Sequence, residues 1–591
     1  MFNPLDARDL GRLRQSLTFS QKKWRVHLER RLGFMRQVTG HHFGPVEEAT
    51  QDHVIFPLLG LALKIYSRML SSRNPRAMVK HWDPEFDTAC YELKLALDDE
   101  FERMDLAESL NAVTVESFFS IGVCKIGRVD HGEIETQTGF MNAVGSSFCD
   151  PILSEDLIFE MRCNRWKRIG YIGDFARVPL EWAKENRAFL PARKNLQASR
   201  AMDGASLSGS MRNLRSQLLS SGKNDAMETE YEDHVELLNL WLPQEGLILV
   251  TDRSVTNVLQ VKEWDGPERG PYHILGYNWL PGNLCPLPPM AEWMDQHLLA
   301  NTLANKTAEM AKNQKTVLGV TGPTGAKDGR TVAGADDMDV VQLDNPQNVH
   351  EFKFNGPDSQ LWLMAQQVRE LFNWNAGNVE ALGGLGPQSG TVGQDRLLLE
   401  SASAQAQNMQ ADVTNMTQRV MTDLAWHVRH DPLFQRRLVK EIEYANRRVP
   451  FVFEARNIPG EFQDYKIVLE PYSMQLRSPE QRLARLKQEL KETVLPLQQF
   501  MQAQGIGINF EKLMKKVAEL GDAPEFADML IYQQGETDRP AGQRASKSPE
   551  TTRRYIRENR PQSTMAGKSR IAMEMLAGGR PQPKEQSIMA R

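Results

Sequence analysis

Gly319-Val-Thr-Gly-Pro-Thr-Gly-Ala-Lys is the first stretch whose residue types suggest chemistry. Glycines let backbone N–H groups close on phosphate oxygens, and a lysine can neutralise them. The spacing is wrong for a phosphate loop: Lys327 does not follow a glycine, and Asp328 stands where a hydroxyl is needed. The stretch reads as a turn. Ala335-Asp-Asp-Met-Asp lacks the alternating oxygens and central glycine of a calcium loop and reads as a solvated acidic turn. His41-His42 and His427/His430 form no HExxH and have no cysteines at metal spacing. His427 and His430 sit near a helix end, where histidine serves the last carbonyls. Cys90, Cys124, Cys149, Cys163 and Cys285 are odd in number, widely spaced and without CxxC. They read as free thiols rather than a disulfide framework or zinc site. No GxSxG occurs. The expectation is therefore no enzyme, no cofactor, no metal and no catalytic residue.

The elements carrying these residues alternate between long helices and short strands. Leu10, Leu13, Leu17, Trp24, Leu28, Leu32 and Met35 predict a helix over about 6–39. Further helices are expected over 65–71, 86–119 and, after a strand at Gly122, from Arg177. Residues 196–228, rich in Ser, Gly, Asn, Arg and Gln, read as a mobile loop with too little apolar surface to offset ordering entropy. Runs from Val235, Gly246, Val258 and Tyr272, with turn residues between them, read as antiparallel hairpins. After Pro281, Pro286, Pro288 and Pro289, a helix is expected from Met290 to Val317, a short strand at Val340–Leu343 and a helix from 358 to 374. Residues 376–394 hold six glycines in nineteen positions, and a helix of about 40 residues follows, with Met409, Val413, Met416, Val420 and Leu424 on one face. Strands return at Val449 and Tyr465. Ser478, Pro479 and Gln481 then open a capped helix that Pro496 should kink, and a last helix is expected over 509–521. Beyond Gln533 the chain is polar and Arg-rich, and reads as disordered in isolation.

The chain has 591 residues, 41% hydrophobic and 25% charged, which excludes a disordered or fibrous protein. Its net charge of −5 is a cancellation: residues 1–44 carry +6, residues 536–591 carry +6, and the body between them carries −17. That distribution excludes a uniformly basic nucleic-acid coat. The apolar run from Val54 to Leu63 is too short to span a bilayer, and no signal peptide opens the chain, so the expectation is a soluble protein made in a cytoplasm, with no membrane partner.

This order of elements resembles the portal protein of tailed bacteriophages, the head–tail connector. The resemblance covers roughly residues 10–535. It is carried most specifically by Glu263-Trp-Asp-Gly-Pro-Glu-Arg-Gly-Pro-Tyr-His-Ile-Leu-Gly-Tyr, by Asn301 to Val317, and by Asn375-Ala-Gly-Asn-Val-Glu-Ala-Leu-Gly-Gly-Leu. Many relatives have a Thr-Ala-Thr-Glu-like sequence before the long helix; here Thr391-Val-Gly-Gln departs from it.

The resemblance implies an α+β, predominantly helical portal fold assembled as a ring. Residues 1–287 and 431–476 would form the wing, 288–317 and 357–375 two stem helices, and 318–356 the clip. Residues 376–430 would be the tunnel loop and long tunnel helix, 477–535 the crown, and 536–591 a basic, disordered tail. The implied function is a dodecameric ring at one capsid vertex through which double-stranded DNA is packaged and ejected. Implied partners are the terminase large subunit, a head–tail adaptor, and the major capsid and scaffolding proteins, within the virion. Tunnel-loop candidates are Gly383, Gly384, Leu385, Gly386, Pro387 and Gln388, small or flexible residues suited to contacting DNA of any sequence. Candidate acidic lining residues are Glu370, Glu380, Asp395 and Glu400, whose charge would repel phosphate and let DNA slide. The alternatives are another non-enzymatic virion structural protein, in the tail or inside the head, and a DNA-processing enzyme.

Overall fold

The computed structural model describes residues 6–39, 56–71, 73–129, 134–135, 141–142, 145–200, 207–219, 231–312, 314–320, 322–334, 342, 349–354, 359–383, 392–442, 447–470, 473–474 and 491. The chain divides into a unit of residues 1–476 and a second of 477–591. The expected crown helices, the tail and His41-His42 lie outside the described residues. The first unit mixes helices with several sheets, an α+β architecture.

Helix α1 (Ala7–Thr39) forms as its periodicity dictates, burying Leu13, Leu17, Trp24, Leu28 and Leu32. The Trp24 indole N–H donates to Ser154 O at 2.9 Å, so its polar edge is also satisfied. Helix α2 (Leu58–Leu70) starts earlier than the sequence suggested, directly after Pro57. Strand β1 (Ala77–His81) follows, unannounced by the sequence pattern.

The helix expected over 86–119 is two helices, α3 (Asp87–Arg103) and α4 (Leu106–Phe119). Asp105 breaks it with φ 46°, a left-handed conformation that Asp tolerates better than most side chains. Its carbonyl then accepts Glu108 N–H at 3.0 Å, closing the new first turn.

Strands β2 (Gly122–Arg128), β3 (Ile134–Glu135), β4 (Met141–Asn142), β5 (Ser147–Ile152), β6 (Leu157–Phe159) and β7 (Ile172–Pro179) come next. They are followed by α5 (Leu180–Glu185) and α6 (Leu207–Leu219). Arg177 therefore lies in a strand, and the helix expected from it starts at Leu180. Helix α6 also corrects the mobile-loop reading of 196–228. Its Met211 is buried, its Arg212 pairs with Asp156 and Glu236, and its Arg215 reaches Glu155 at 2.7 Å. Buried carboxylates elsewhere in the chain supply what the local composition lacks.

Strands β8 (His234–Leu242), β9 (Leu247–Asp252) and β10 (Val258–Glu263) make the expected meander. It extends into an antiparallel sheet ordered β10-β9-β8-β7-β6. Strand β11 (Tyr272–Leu275) leaves it, pairing with β2 in a second sheet ordered β11-β2-β5. Asp174 of the first sheet stitches the two together, accepting from Lys125 Nζ at 2.8 Å and from the Tyr272 hydroxyl at 2.5 Å.

Helix α7 (Pro289–Lys312) stops short of Val317. Lys315–Val320 is instead strand β12, paired antiparallel with β13 (Val349–Phe354). β-Branched Thr316, Val317 and Val320 favour the strand once a partner is present. Between them, Gly322–Ala333 forms helix α8 where a turn was expected, and Lys327 lies exposed on it. The strand expected at Val340–Leu343 falls, except for Gln342, outside the described residues.

Helix α9 (Ser359–Asn375) and a single turn, α10 (Val379–Leu382), lead to α11 (Val392–His430), 39 residues long or about 58 Å. Its predicted stripe is all buried: Met409, Val413, Met416, Val420 and Leu424. His430 serves the last turn as expected, its Nδ1 2.9 Å from Trp426 O. Strands β14 (Gln435–Ile442) and β15 (Arg447–Glu454) form a hairpin, and β16 (Tyr465–Leu469) returns to pair with β1. The main core gathers α2, α3, α4 and α11 around Tyr66, Phe118 and Trp293.

Candidate functional site

The candidate site is the helix pair α7/α9 with the chain that leaves it. The two helices meet through Ala300, Leu303 and Val368, with Leu361 and Ala365 against them. One end of the pair is rooted in the core. Trp293 is fully buried, stacked on Tyr66 at 5.7 Å and edge-on to Phe372 at 6.5 Å. Asn375 Nδ2 donates to Gln296 Oε1 at 3.1 Å and to Glu292 O at 3.3 Å, fixing the end of α9 to the start of α7. On α7, Asn301 accepts from Phe56 N–H at 2.7 Å and donates to Phe56 O at 3.3 Å, pinning the chain just before α2. Buried His297 lies beneath it, and burial alone lowers its pKa to about 4.

The turn after α9 is tightly specified. Gly377 (φ 76°) and Asn378 (φ 51°) are consecutive left-handed residues, a geometry that Gly and Asn reach at low cost. Asn378 N–H donates to Asn373 O at 2.6 Å, and Asn373 Oδ1 accepts from Glu380 N–H at 3.1 Å. The buried Ala376 carbonyl accepts from the Tyr66 hydroxyl at 2.8 Å. The start of the glycine-rich stretch is thus a fixed anchor.

Of the expected loop residues, only Gly383 is described; Gly384, Leu385, Gly386, Pro387 and Gln388 lie outside the described residues. Gly383 ends α10 close to α2: a Cβ there would come within 2.8 Å of Ile65 Cδ1. A side chain there would need the Ile65 terminal methyl to move aside. Glu370 is exposed on α9. Glu380 is engaged by Arg369, whose Nε lies 2.7 Å from Oε1, so its charge is locally offset. Asp395 and Glu400 lie in the first turns of α11. Nothing in these placements brings Glu370 and Glu380 together on one ligand.

The sequence reading missed a set of exposed apolar residues. Leu298 and Leu299 on α7, and Trp362, Leu363, Leu371 and Trp374 on α9, are all exposed; Trp374 is 75% exposed and Leu363 58%. The signal was present: Leu361-Trp-Leu-Met is apolar around most of the helix, more than one buried face can use. Scattered exposed apolar residues are ordinary, but a cluster of large ones on two packed helices marks a contact surface.

Among the described residues no group of three or more His, Cys, Asp or Glu side chains converges as a metal site. None of the five cysteines is in a disulfide. No helix of the described residues is long and apolar enough to cross a membrane. No protein-family model matches the chain, and no curated protein matches it.

Proposed function

We propose that this chain is a phage portal subunit: one protomer of a ring, of about twelve copies by family resemblance, through which double-stranded DNA enters and leaves a capsid. The observation that carries the reading is the set of large apolar side chains left exposed on the α7/α9 pair. A ring requires two different, mutually complementary faces on each subunit, repeated by rotation until they close. Leu298 and Leu299 on α7, and Trp362, Leu363, Leu371 and Trp374 on different sides of α9, offer apolar surface for contacts to neighbours on both sides, on the helices that this reading takes as the portal stem.

The order of elements supports the same reading. A helix is followed by a paired β segment containing a short helix, then by a returning helix, a rigid anchor for a glycine-rich stretch and a 39-residue helix. In this reading β12, α8 and β13 form the clip that meets the terminase large subunit and later the adaptor. Gly383, Gly384, Leu385, Gly386, Pro387 and Gln388 are the residues that touch DNA, and the −17 body keeps phosphate from adhering. The role is mechanical, with no catalytic residue and no cofactor, and the location is the portal vertex of the virion. Capsid and scaffolding proteins contact the wing.

Mass photometry and negative-stain imaging of the purified chain test this directly. The expected result is a closed ring with a central hole wide enough for a duplex. A monomer over a range of salt and protein concentrations, or a tube or sheath, would overturn it.

A further inference from the structure

One surface of the chain is strongly basic and lies far in sequence from the stem and loop. On α1, Lys22, Lys23 and Arg30 are exposed. Beside them runs the turn between β6 and β7, where Arg162, Arg165, Lys167 and Arg168 are exposed within seven positions. The turn is docked rather than loose. Met161 N–H donates to Ser20 Oγ at 3.2 Å, and Phe159 packs edge-on to Trp24 at 4.9 Å and against Trp166 at 4.9 Å. Arg162 and Lys23 share the ring of Phe19, at 4.4 and 4.9 Å from its centroid, so cations from the two elements are held side by side.

Among the described residues these seven cations have no carboxylate partner, whereas their neighbours do. On the same helix Arg12 reaches Asp9, Arg25 reaches Glu29 at 3.0 Å, and Arg31 is buried on Glu116. Among the described residues no carboxylate forms an ion pair with Lys22, Lys23, Arg30, Arg162, Arg165, Lys167 or Arg168. A cleft of about 770 Å³ between α1 and residues 280–288 opens onto this surface, and none of its lining residues is acidic. Half-buried His27 lies in that cleft, and its pKa is lowered, first by burial and then by Arg30. The local potential already disfavours another positive charge.

We propose that this surface binds the backbone of duplex DNA without regard to sequence. It is a feature of the single subunit, so the inference stands apart from ring assembly and from any central channel. Charge density selects the partner. Duplex DNA offers one negative charge per about 1.7 Å of axis, whereas an extended peptide with alternating acids offers one per about 6.6 Å. The denser charge is the better match to seven exposed cations on two adjoining elements. Four of the seven are arginines, whose planar forks match phosphate oxygens. Lys and Arg contacts to phosphate oxygens fix position on a duplex and carry no sequence information, so the binding is of the positioning kind.

The test uses the full chain and a labelled duplex of about 30 bp. Amine-reactive footprinting read by mass spectrometry should show Lys22, Lys23 and Lys167 losing reactivity when the duplex is added. By fluorescence anisotropy, Lys22→Gln, Lys23→Gln, Arg30→Gln and Arg162→Gln combined should weaken binding at least about tenfold near 0.1 M salt and flatten the log–log salt slope by about 3. Arg25→Gln, which removes a cation already paired with Glu29, should leave affinity within about twofold. Full lysine reactivity under saturating duplex overturns the proposal; footprinting needs no variant to fold. Unchanged affinity and slope in the combined variant also overturn it. Displacement of the duplex by polyglutamate at equal charge concentration would overturn it in favour of an acidic protein partner.

Discussion

Arg31 of α1 lies bidentate on Glu116 of α4, with Nε to Oε1 at 2.5 Å and Nη2 to Oε2 at 2.8 Å, and both side chains are buried. Burial alone would raise the Glu116 pKa, but the Arg31 charge and hydrogen bonds hold it below the ordinary carboxylate range. Glu116 also accepts Ser154 N–H at 3.2 Å, so a single ion pair joins α1, α4 and the turn before β6.

Removing one partner of such a pair leaves the other charge buried and uncompensated. Arg31→Met should lower unfolding stability by about 3–5 kcal/mol in chemical denaturation. Combining it with Glu116→Leu should recover part of that loss, because one orphaned carboxylate goes too; buried Glu155, 3.7 Å from Arg31, and the Ser154 N–H, left without its acceptor, keep the recovery incomplete. A double variant no more stable than Arg31→Met would show that the pair is not the source of the loss.

Tyr66 offers a smaller and more local test. Its hydroxyl satisfies the buried Ala376 carbonyl at the anchor of the glycine-rich stretch. Tyr66→Phe keeps the stacking on Trp293 and removes only the donor, so it should cost about 1–2 kcal/mol. Hydrogen exchange should show the loosening concentrated at 376–383. Uniform loosening across the chain would mean that the hydroxyl does not fix this turn.

His297 should make the fold more sensitive to acid than it would be without it. Its folded pKa of about 4 lies below the ordinary 6.5, so the neutral ring is favoured in the folded state. The stability it contributes is present above pH 6.5 and is lost as pH falls toward 4. Between pH 7 and pH 5 the loss is about 2 kcal/mol. His273, lowered to about 3, acts in the same direction, but Asp423 beside it is raised to about 6 and gains stability on acidification. Asp98, raised to about 6, and Asp156, raised to about 7, also gain stability as pH falls, so the probe is the comparison with a variant rather than the overall trend. From pH 7 to pH 5, His297→Leu should shift the change in unfolding stability by about 2 kcal/mol in the stabilising direction relative to the parent chain; no shift would place the titration elsewhere.

How much of this was legible depends on where each element's stabilisation comes from. Helices α1 and α11 were plain in the sequence because their cores are written at helical spacing, from Leu13 to Leu32 and from Met409 to Leu424. The break at Asp105 was not, because no glycine or proline marks it. Strand β12 was hidden because Thr316 and Val317 continue a helix-compatible run until Val349–Phe354 supplies a partner. Helix α6 was hidden because Arg212 and Arg215 answer carboxylates carried by β8 and by the turn before β6. In the candidate site, the glycines announced a special backbone, and Gly377 with Asn378 has one. The exposed apolar residues were legible as residues but not as surface, since only the packing of α9 on α7 decides which of them are left over.

Those leftover residues give the sharpest functional prediction. Trp374 is 75% exposed and lies on the side of α9 turned away from buried Phe372 and Val368; Leu371, 54% exposed, flanks the buried side, one turn from Val368. Replacing an exposed apolar side chain with a charge costs a single subunit little, within about 0.5 kcal/mol. At a subunit contact the same change buries an unpaired charge, which is among the most costly of substitutions. Leu371→Glu with Trp374→Glu should therefore leave the thermal unfolding midpoint of the dispersed subunit nearly unchanged. Mass photometry should show the assembled species lost and monomer in its place. Rings that survive both substitutions would remove the α7/α9 face from the assembly contact, whereas a chain that fails to fold would show these residues to be part of its core.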